Sequence, residues 1–302
     1  MSVIAIINPV SGAGADTTVA ARRVAMLRDA ATRRGIDLIV HLTARAGHAR
    51  ELATAAVASG APLVIAWGGD GTINEVGTAL IRTATTLGVV PAGSGNGLAA
   101  ALAVPRDPAI AIAAAFDGSA STIDAGIMAG RPFFNIGGVG FDAHIARLFN
   151  LRAPGSRGGW PYVSIGVREG CRYSALDYRV SFDDHPRRVR ALLIAFANGR
   201  EYGMGARIAP QARLDDGVLD AIVVEDRSVI ARFLDAPYLA FAAAHRARGV
   251  TVSQIKQATI EADGPIAFHV DGEAGSVERR LNVGIVPAAL KVRVPQVESA
   301  SE

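Results

Sequence analysis

Three times in the first third of the chain, a short apolar run breaks into a glycine-rich loop and resumes as a pattern with helical spacing. Residues 3–7 lead into Asn8-Pro9-Val10-Ser11-Gly12-Ala13-Gly14, then a helix over about 17–34. Residues 63–67 end in Gly68-Gly69-Asp70-Gly71, and Ile73, Val76, Gly77 and Leu80 follow on one helical face. Residues 87–90 lead into Pro91-Ala92-Gly93-Ser94-Gly95-Asn96-Gly97 and a helix over 98–102. Repeated strand–loop–helix units predict a doubly wound α/β domain with a parallel sheet. Ligands of such sheets sit at the carboxyl ends of the strands, where these loops lie.

A glycine turn entering a helix presents bare backbone N–H groups, which bind anions. Asp70 inside such a turn repels phosphate unless a metal ion lies between them, so the pattern points to a metal–nucleotide site. The competing reading is an ordinary βα turn with Asp70 or Thr72 as helix cap. Known phosphate fingerprints are absent. No Gly-x-x-x-x-Gly-Lys-Ser/Thr occurs, and no Gly-x-Gly-x-x-Gly opens the first helix with an acid at dinucleotide spacing. The only lysines, Lys256 and Lys291, are remote from the loops. Phosphate is then left to backbone N–H groups, the hydroxyls of Ser11, Thr72 and Ser94, arginine or metal.

The chain has 302 residues, half of them hydrophobic, enough for one large or two moderate domains. A single cysteine, Cys171, excludes an internal disulfide framework, fits a reducing cytosol, and reads as a packed apolar residue. The first residues lack a basic and long apolar leader, and no uninterrupted apolar stretch of about 18 residues occurs, so a cytoplasmic protein is expected. A net charge of +3 without aromatic-interleaved basic runs argues against nucleic acid. Arg147, Arg152 and Arg157 flank a glycine-rich loop before Trp160 and Tyr162. That loop is either a solvated connection or a peripheral contact with an anionic membrane face. His41, His48, His144, His185, His245 and His269 show no zinc spacing.

The texture changes near residue 124. Before it, further helices are expected over 46–59 and 108–116, and a strand over 38–42. After it, strands are expected over 176–182, 189–197, 218–224, 251–261, 266–270, 281–286 and 290–294, with a turn at Asp183-Asp184-His185-Pro186. A helix over 228–248 interrupts them, with Phe233, Tyr238, Leu239 and Phe241 facing the strands, and residues 297–302 form a frayed tail. The division is therefore a nucleotide-binding α/β domain over 1–124 and a β-rich, sandwich-like domain over 125–296.

Taken in order, Asn8-Pro9-x-Ser11-Gly12, Gly68-Gly69-Asp70-Gly71-Thr72-x-Asn74-Glu75 and Pro91-x-Gly93-Ser94-Gly95-Asn96 resemble the diacylglycerol kinase catalytic family, which includes sphingosine kinases and soluble bacterial lipid kinases. So do Ile123-Asp124-Ala125-Gly126, the segment from Phe134 to Asp142, Ala197-Asn198-Gly199, the segment from Pro210 to Asp220, and Val270-Asp271-Gly272-Glu273. The resemblance spans nearly the whole chain. It implies an ATP- and Mg²⁺-dependent transfer of the γ-phosphate to a lipid hydroxyl. It also implies a site between the two domains, a lipid-binding second domain, and a return of the last strands to the first.

Residue by residue, the resemblance puts nucleotide contacts at Asn8, Pro9, Ser11, Gly12, Thr43, Gly68, Gly69, Asp70, Gly71, Thr72, Asn74, Ser94 and Gly95. It puts the metal of metal–ATP on Asp70, with Asp124 in the metal–water network. A structural Mg²⁺ falls to the Asp216 side chain with the carbonyls of Arg213 and Val218. The general base is Glu273, with Asp271 the alternative. Asn96 is expected to cap its helix. This chain departs from the family at Gly97, where an Asp is common, and at Ala13 and Ala15, where a lysine is common. The phosphate contact of that lysine is either absent here or taken by Arg22 or Arg23. NAD kinase shares the Gly-Gly-Asp-Gly turn and is the second enzyme reading, with a non-catalytic nucleotide or lipid module as the third. A homodimer is left open.

Overall fold

The computed structural model describes residues 2–12, 17–151, 169–170, 172–202, 207–227 and 249–296. It divides into two compact units, one formed by Met1–Ile123 with Ala288–Glu302 and the other by Asp124–Pro287. The chain thus returns to the first unit at Ala288, so residues 288–296 belong there and not with the β-rich part.

In the first unit, β1 (Val3–Ile7), β2 (Leu38–Leu42), β3 (Leu63–Gly68) and β4 (Thr86–Pro91) form a parallel sheet. β1 lies between β2 and β3, with Ile4 opposite both Ile39 and Val64. β4 continues the sheet beyond β3, with Trp67 opposite Val90. The connecting helices are α1 (Thr17–Arg33), α2 (His48–Ala58) and α3 (Asp70–Leu80). After β4 come α4 (Gly97–Ala101) and α5 (Pro108–Asp117). Every residue of β1 and β3 is buried, as a strand covered on both faces requires. Asp107 caps α5 by accepting the Ala109 and Ile110 amides, with Pro108 in the first turn.

The second unit is built on antiparallel strands. A hairpin joins the end of β5 (Ser119–Met128) to β6 (Arg131–Phe133), followed by β7 (Ile136–Gly140) and α6 (Phe141–Asn150). Then come β8 (Leu176–Phe182), β9 (His185–Ala197), β10 (Leu219–Glu225), β11 (Val250–Ile255) and β12 (Gln257–Glu261). The unit closes with β13 (Ile266–Val270), β14 (Glu273–Val277) and the start of β15 (Arg280–Val294). β9 pairs β8 through its first half, β7 through its second, and β10 along the opposite edge. One apolar core gathers Met128, Phe133, Phe196, Phe268 and Leu281. A second gathers Ile136, Leu193, Ile208 and Ile222.

Three sequence expectations change. The hairpin after β8 turns on Asp183 and Asp184 alone, both with positive φ (43° and 67°), so His185 and Pro186 already belong to β9. Two central residues with positive φ match the right-handed twist of a hairpin. The run 251–261 is two strands, because the chain changes partners at Lys256 and the Asp183 carboxylate takes the Lys256 and Gln257 amides there. Conversely, the strands expected over 281–286 and 290–294 are one, β15, with its irregularity at Ala288 (φ 49°) after Pro287. Elements β5, β6, β7, β14 and α6 were not legible from periodicity. The helix expected over 228–248, the 153–159 loop with Arg152, Arg157, Trp160 and Tyr162, the tail, Ala13, Ala15 and Cys171 lie outside the described residues.

Candidate functional site

In the first unit the three glycine loops follow β1, β3 and β4. The loops after β3 and β4 touch backbone to backbone. A Cβ on Gly93 would stand 2.7 Å from the Gly69 Cα, so no side chain fits between them. Asn96 closes the third loop, accepting the Gly93 amide at 2.8 Å and donating to its carbonyl at 2.7 Å, with its own backbone left-handed at φ 60°. The capping of α4 falls instead to Asp70. Its Oδ2 accepts the Asn96 amide at 2.8 Å and its Oδ1 the Gly97 amide at 2.7 Å. A carboxylate at a helix start is favoured by the exposed N–H groups. Asp70 is thus a clasp between two loops.

The first loop is held from both sides. Asn8 donates through Nδ2 to the Thr72 Oγ1 at 2.9 Å, and its Oδ1 accepts the Val10 amide at 3.1 Å. Ser11 Oγ donates to the Asn8 carbonyl at 2.9 Å. Arg23, on α1, donates to the Asn8 carbonyl at 2.7 Å, the Ser11 Oγ at 3.0 Å and the Ser11 carbonyl at 2.7 Å. It also lies over the Trp67 ring, 5.6 Å from its centroid, and burial lowers its pKa. One of the two arginines that could stand in for a missing lysine therefore staples the loop's own backbone. Thr43 extends the pairing of β2, its amide donating to the Ile7 carbonyl at 2.9 Å. Asn74 accepts the Thr78 hydroxyl at 3.4 Å, and Glu75 accepts the Gly47 and Ala49 amides at the start of α2. Pro9, Gly12, Ser94 and Gly95 are backbone of these same loops, while Gly68 ends β3 and Gly71 lies in the first turn of α3.

The second unit holds the remaining carboxylates. Asp124 is 3 % exposed, and its Oδ2 accepts the Gly217 amide at 2.7 Å while its own amide donates to the Leu214 carbonyl. It is tied to the turn Asp215-Asp216-Gly217. In that turn Asp216 Oδ1 accepts the Val218 amide at 3.2 Å, and Arg213 donates to Asp215 at 3.2 Å. Burial, with the charge of Asp216, raises the pKa of Asp220, while a hydrogen bond from Gln254 partly opposes the shift. Negative charge gathered at Asp216 and Asp220 suits a divalent cation on the Asp216 carboxylate and the Arg213 and Val218 carbonyls. Among the described residues, no three His, Cys, Asp or Glu groups form a metal cluster, so carbonyls, water or phosphate must complete any such sphere.

Asp271 and Glu273 share one turn and differ completely. Asp271 has a left-handed backbone, φ 48°, and its carboxylate accepts the amides of Phe134 (2.9 Å), Asn135 (2.9 Å) and Ile136 (3.1 Å). A carboxylate charged against three amides is a poor proton acceptor. Glu273, the first residue of β14, is exposed. Geometry therefore separates the two base candidates that the sequence left together.

Comparison with known proteins also divides the chain in two. Residues 2–128 match the model of the diacylglycerol kinase catalytic domain, and residues 136–294 match that of the YegS C-terminal NAD kinase beta sandwich-like domain. The chain belongs to the diacylglycerol kinase family of lipid kinases. A diacylglycerol kinase of Mycobacterium tuberculosis is 32 % identical over 307 residues, covering 97 % of this chain and 95 % of that protein. A "probable lipid kinase YegS-like" protein of Chromohalobacter salexigens is 30 % identical over 275 residues, covering 87 % and 85 %. The fold is that of a diacylglycerol kinase crystal structure from Bacillus anthracis, with a TM-score of 0.74 at 21 % identity, covering 97 % of this chain and 96 % of that one. No helix among the described residues is long and apolar enough to cross a membrane.

Sequence reasoning missed Arg23 as a loop staple, Glu75 as the acceptor at α2, and a buried pair, Asp142 and His269. The bond between Asp142 and His269 joins residues 127 positions apart. Only the pairing of His269 with Gly138, across β13 and β7, brings it within reach.

Proposed function

We propose that this kinase transfers the γ-phosphate of ATP to the hydroxyl of a lipid alcohol, with Glu273 as the general base. The observation that carries this reading is the division of labour on one turn. Asp271 is saturated by three amides, and Glu273 stands exposed two residues further on. A lipid hydroxyl is a weak nucleophile, and a carboxylate that accepts its proton as the P–O bond forms lowers the barrier. The bond broken joins the γ-phosphorus to the ADP oxygen.

The first unit supplies positioning, the main demand of phosphoryl transfer. The Gly69–Gly93 approach keeps the loop backbone bare, and the start of α3 adds its N–H groups to a triphosphate. Ser11, Thr72 and Ser94 add hydroxyl groups. Asp70 in the first unit and Asp124 in the second are each candidates to hold Mg²⁺, which would supply charge neutralisation at the phosphates when bound. Asp216, with the Arg213 and Val218 carbonyls, would hold a second, structural Mg²⁺.

The test is incubation of purified protein with γ-labelled ATP, Mg²⁺ and lipid extract in mixed micelles, followed by mass spectrometry of the labelled lipids. Diacylglycerol and sphingosine-like alcohols are run as separate acceptors. Label in a lipid that disappears with Asp70→Asn supports the reading. No labelled lipid, with NADP formed from NAD and ATP, replaces it with an NAD kinase activity.

A further inference from the structure

The second unit contains a buried polar chain that ends on the turn carrying Glu273. Asp142, in the first turn of α6, is 6 % exposed, and His269 on β13 is 4 % exposed. The Asp142 Oδ1 accepts the Ala143 amide at 2.8 Å, and its Oδ2 accepts the Tyr202 hydroxyl at 3.0 Å. The same Oδ2 lies 3.1 Å from the His269 Nε2. On the other side of the ring, the Gly272 amide donates to Nδ1 at 3.3 Å. A ring nitrogen that accepts carries no proton, so the neutral imidazole holds its hydrogen on Nε2 and donates it to Asp142.

The surroundings are shaped around this carboxylate. A Cβ on Gly138 would sit 2.1 Å from the Asp142 Oδ2, so the strand opposite His269 has no side chain where the carboxylate reaches in. Burial, with the charge of Asp142, pushes the Tyr173 phenol up to about 12. Helix α6 also reaches the turn from its last residue, Asn150, whose Nδ2 donates to the Gly272 carbonyl at 3.1 Å.

We propose that Tyr202, Asp142 and His269 are positioning residues for the acceptor base. Asp142 fixes the His269 tautomer, His269 Nδ1 holds the Gly272 amide, and the direction in which Glu273 leaves the turn follows. Asp271 anchors one side of Gly272 to the Phe134–Ile136 backbone, and His269 anchors its amide. Without Asp142, the ring is free to carry its proton on Nδ1, where it opposes the Gly272 N–H. This proposal rests on the reading of Glu273 as the base, and a misplacement of about 1 Å at such a group costs about 100-fold in rate.

Two substitutions separate positioning from packing. In His269→Asn the side-chain carbonyl stands near the former Nδ1 and still accepts from Gly272. In His269→Gln the longer amide keeps a donor to Asp142 and loses the Gly272 acceptor. The expected result is a kcat for lipid phosphorylation roughly 10- to 100-fold lower in His269→Gln, restored to within about threefold of wild type in His269→Asn. The KM for ATP stays constant in both. Equal kcat losses in the two variants, or a loss expressed in the KM for ATP, overturn the proposal.

An independent readout is the ¹⁵N spectrum of the wild-type His269 ring at neutral pH. It is expected to show a protonated Nε2 and an unprotonated Nδ1, with the Gly272 amide proton shifted by Asp142→Ala. A protonated Nδ1 overturns the proposal even if neither variant folds. Wild-type protein that labels no lipid instead defeats the kinase reading, while the ring spectrum still reports whether Nδ1 accepts from Gly272.

Discussion

The carboxylates of the two units are spent differently. In the first unit, Asp70 and Glu75 both close backbone onto backbone, Asp70 on α4 and Glu75 on α2. The acids of this unit hold its loop and helix-start N–H groups in place. In the second unit, the acids on one turn divide the work, Asp271 gripping three amides while Glu273 stays exposed. The lesson is that a carboxylate's role is set by how many donors surround it. Glu75 and Glu273 share one residue type, yet Glu75 accepts two amides and Glu273 is exposed.

The largest expected effect breaks or sustains the division on the turn itself. Glu273→Gln lowers kcat by roughly 10²- to 10⁴-fold, the usual contribution of a general base, with an unchanged urea midpoint. A loss below about tenfold assigns the proton elsewhere. Asp271→Asn reverses the signature. It destabilises the protein by about 1–3 kcal/mol in urea titration, because one N–H group then faces another in a part-buried turn and charge-assisted bonds are lost. Unchanged stability in that variant defeats the anchoring role.

In the first unit, Gly93→Ala places a methyl group 2.7 Å from the Gly69 Cα, and the loops must part. The KM for ATP is expected to rise about tenfold or more, while the pH and lipid dependence remain those of wild type. An unaltered KM means that the contact between the loops does not shape the nucleotide site. The smallest effect lies away from both sites. Arg34 donates through Nε to both carboxylate oxygens of Asp117, at 2.8 and 2.9 Å, and this bond holds the Asp117 carboxyl below its ordinary pKa. A depressed acid adds stability above its unfolded pKa of about 4 and loses it as pH falls through the folded value. Asp117→Asn should therefore cost less than about 1 kcal/mol at pH 6 and less still at acid pH. An equal cost at both pH values rules out the ion pair as its source.

Much of the fold was readable because local rules and global architecture agree. The buried runs of β1 and β3, the Asp107-Pro108 start of α5 and the three glycine loops are short-range signals. The alternation β8 to β9 was readable too, and only the exact turn escaped, since two aspartates at positive φ leave no mark in periodicity. Strands such as β7, rich in glycine, carry too few side chains to alternate. The break at Lys256 depends on the Asp183 carboxylate, 73 positions away.

By itself, the sequence determined the three glycine loops with the strands before them, the family, and the set of candidate acids, because these depend on residue type and near-neighbour spacing. The tertiary structure decided which acid is clasped and which is open. It put Asp70 on the Asn96 and Gly97 amides, Asp271 on three others, Arg23 on the first loop, and His269 between Asp142 and Gly272. Those outcomes depend on strand register and chain return, which bring together groups that no local spacing relates.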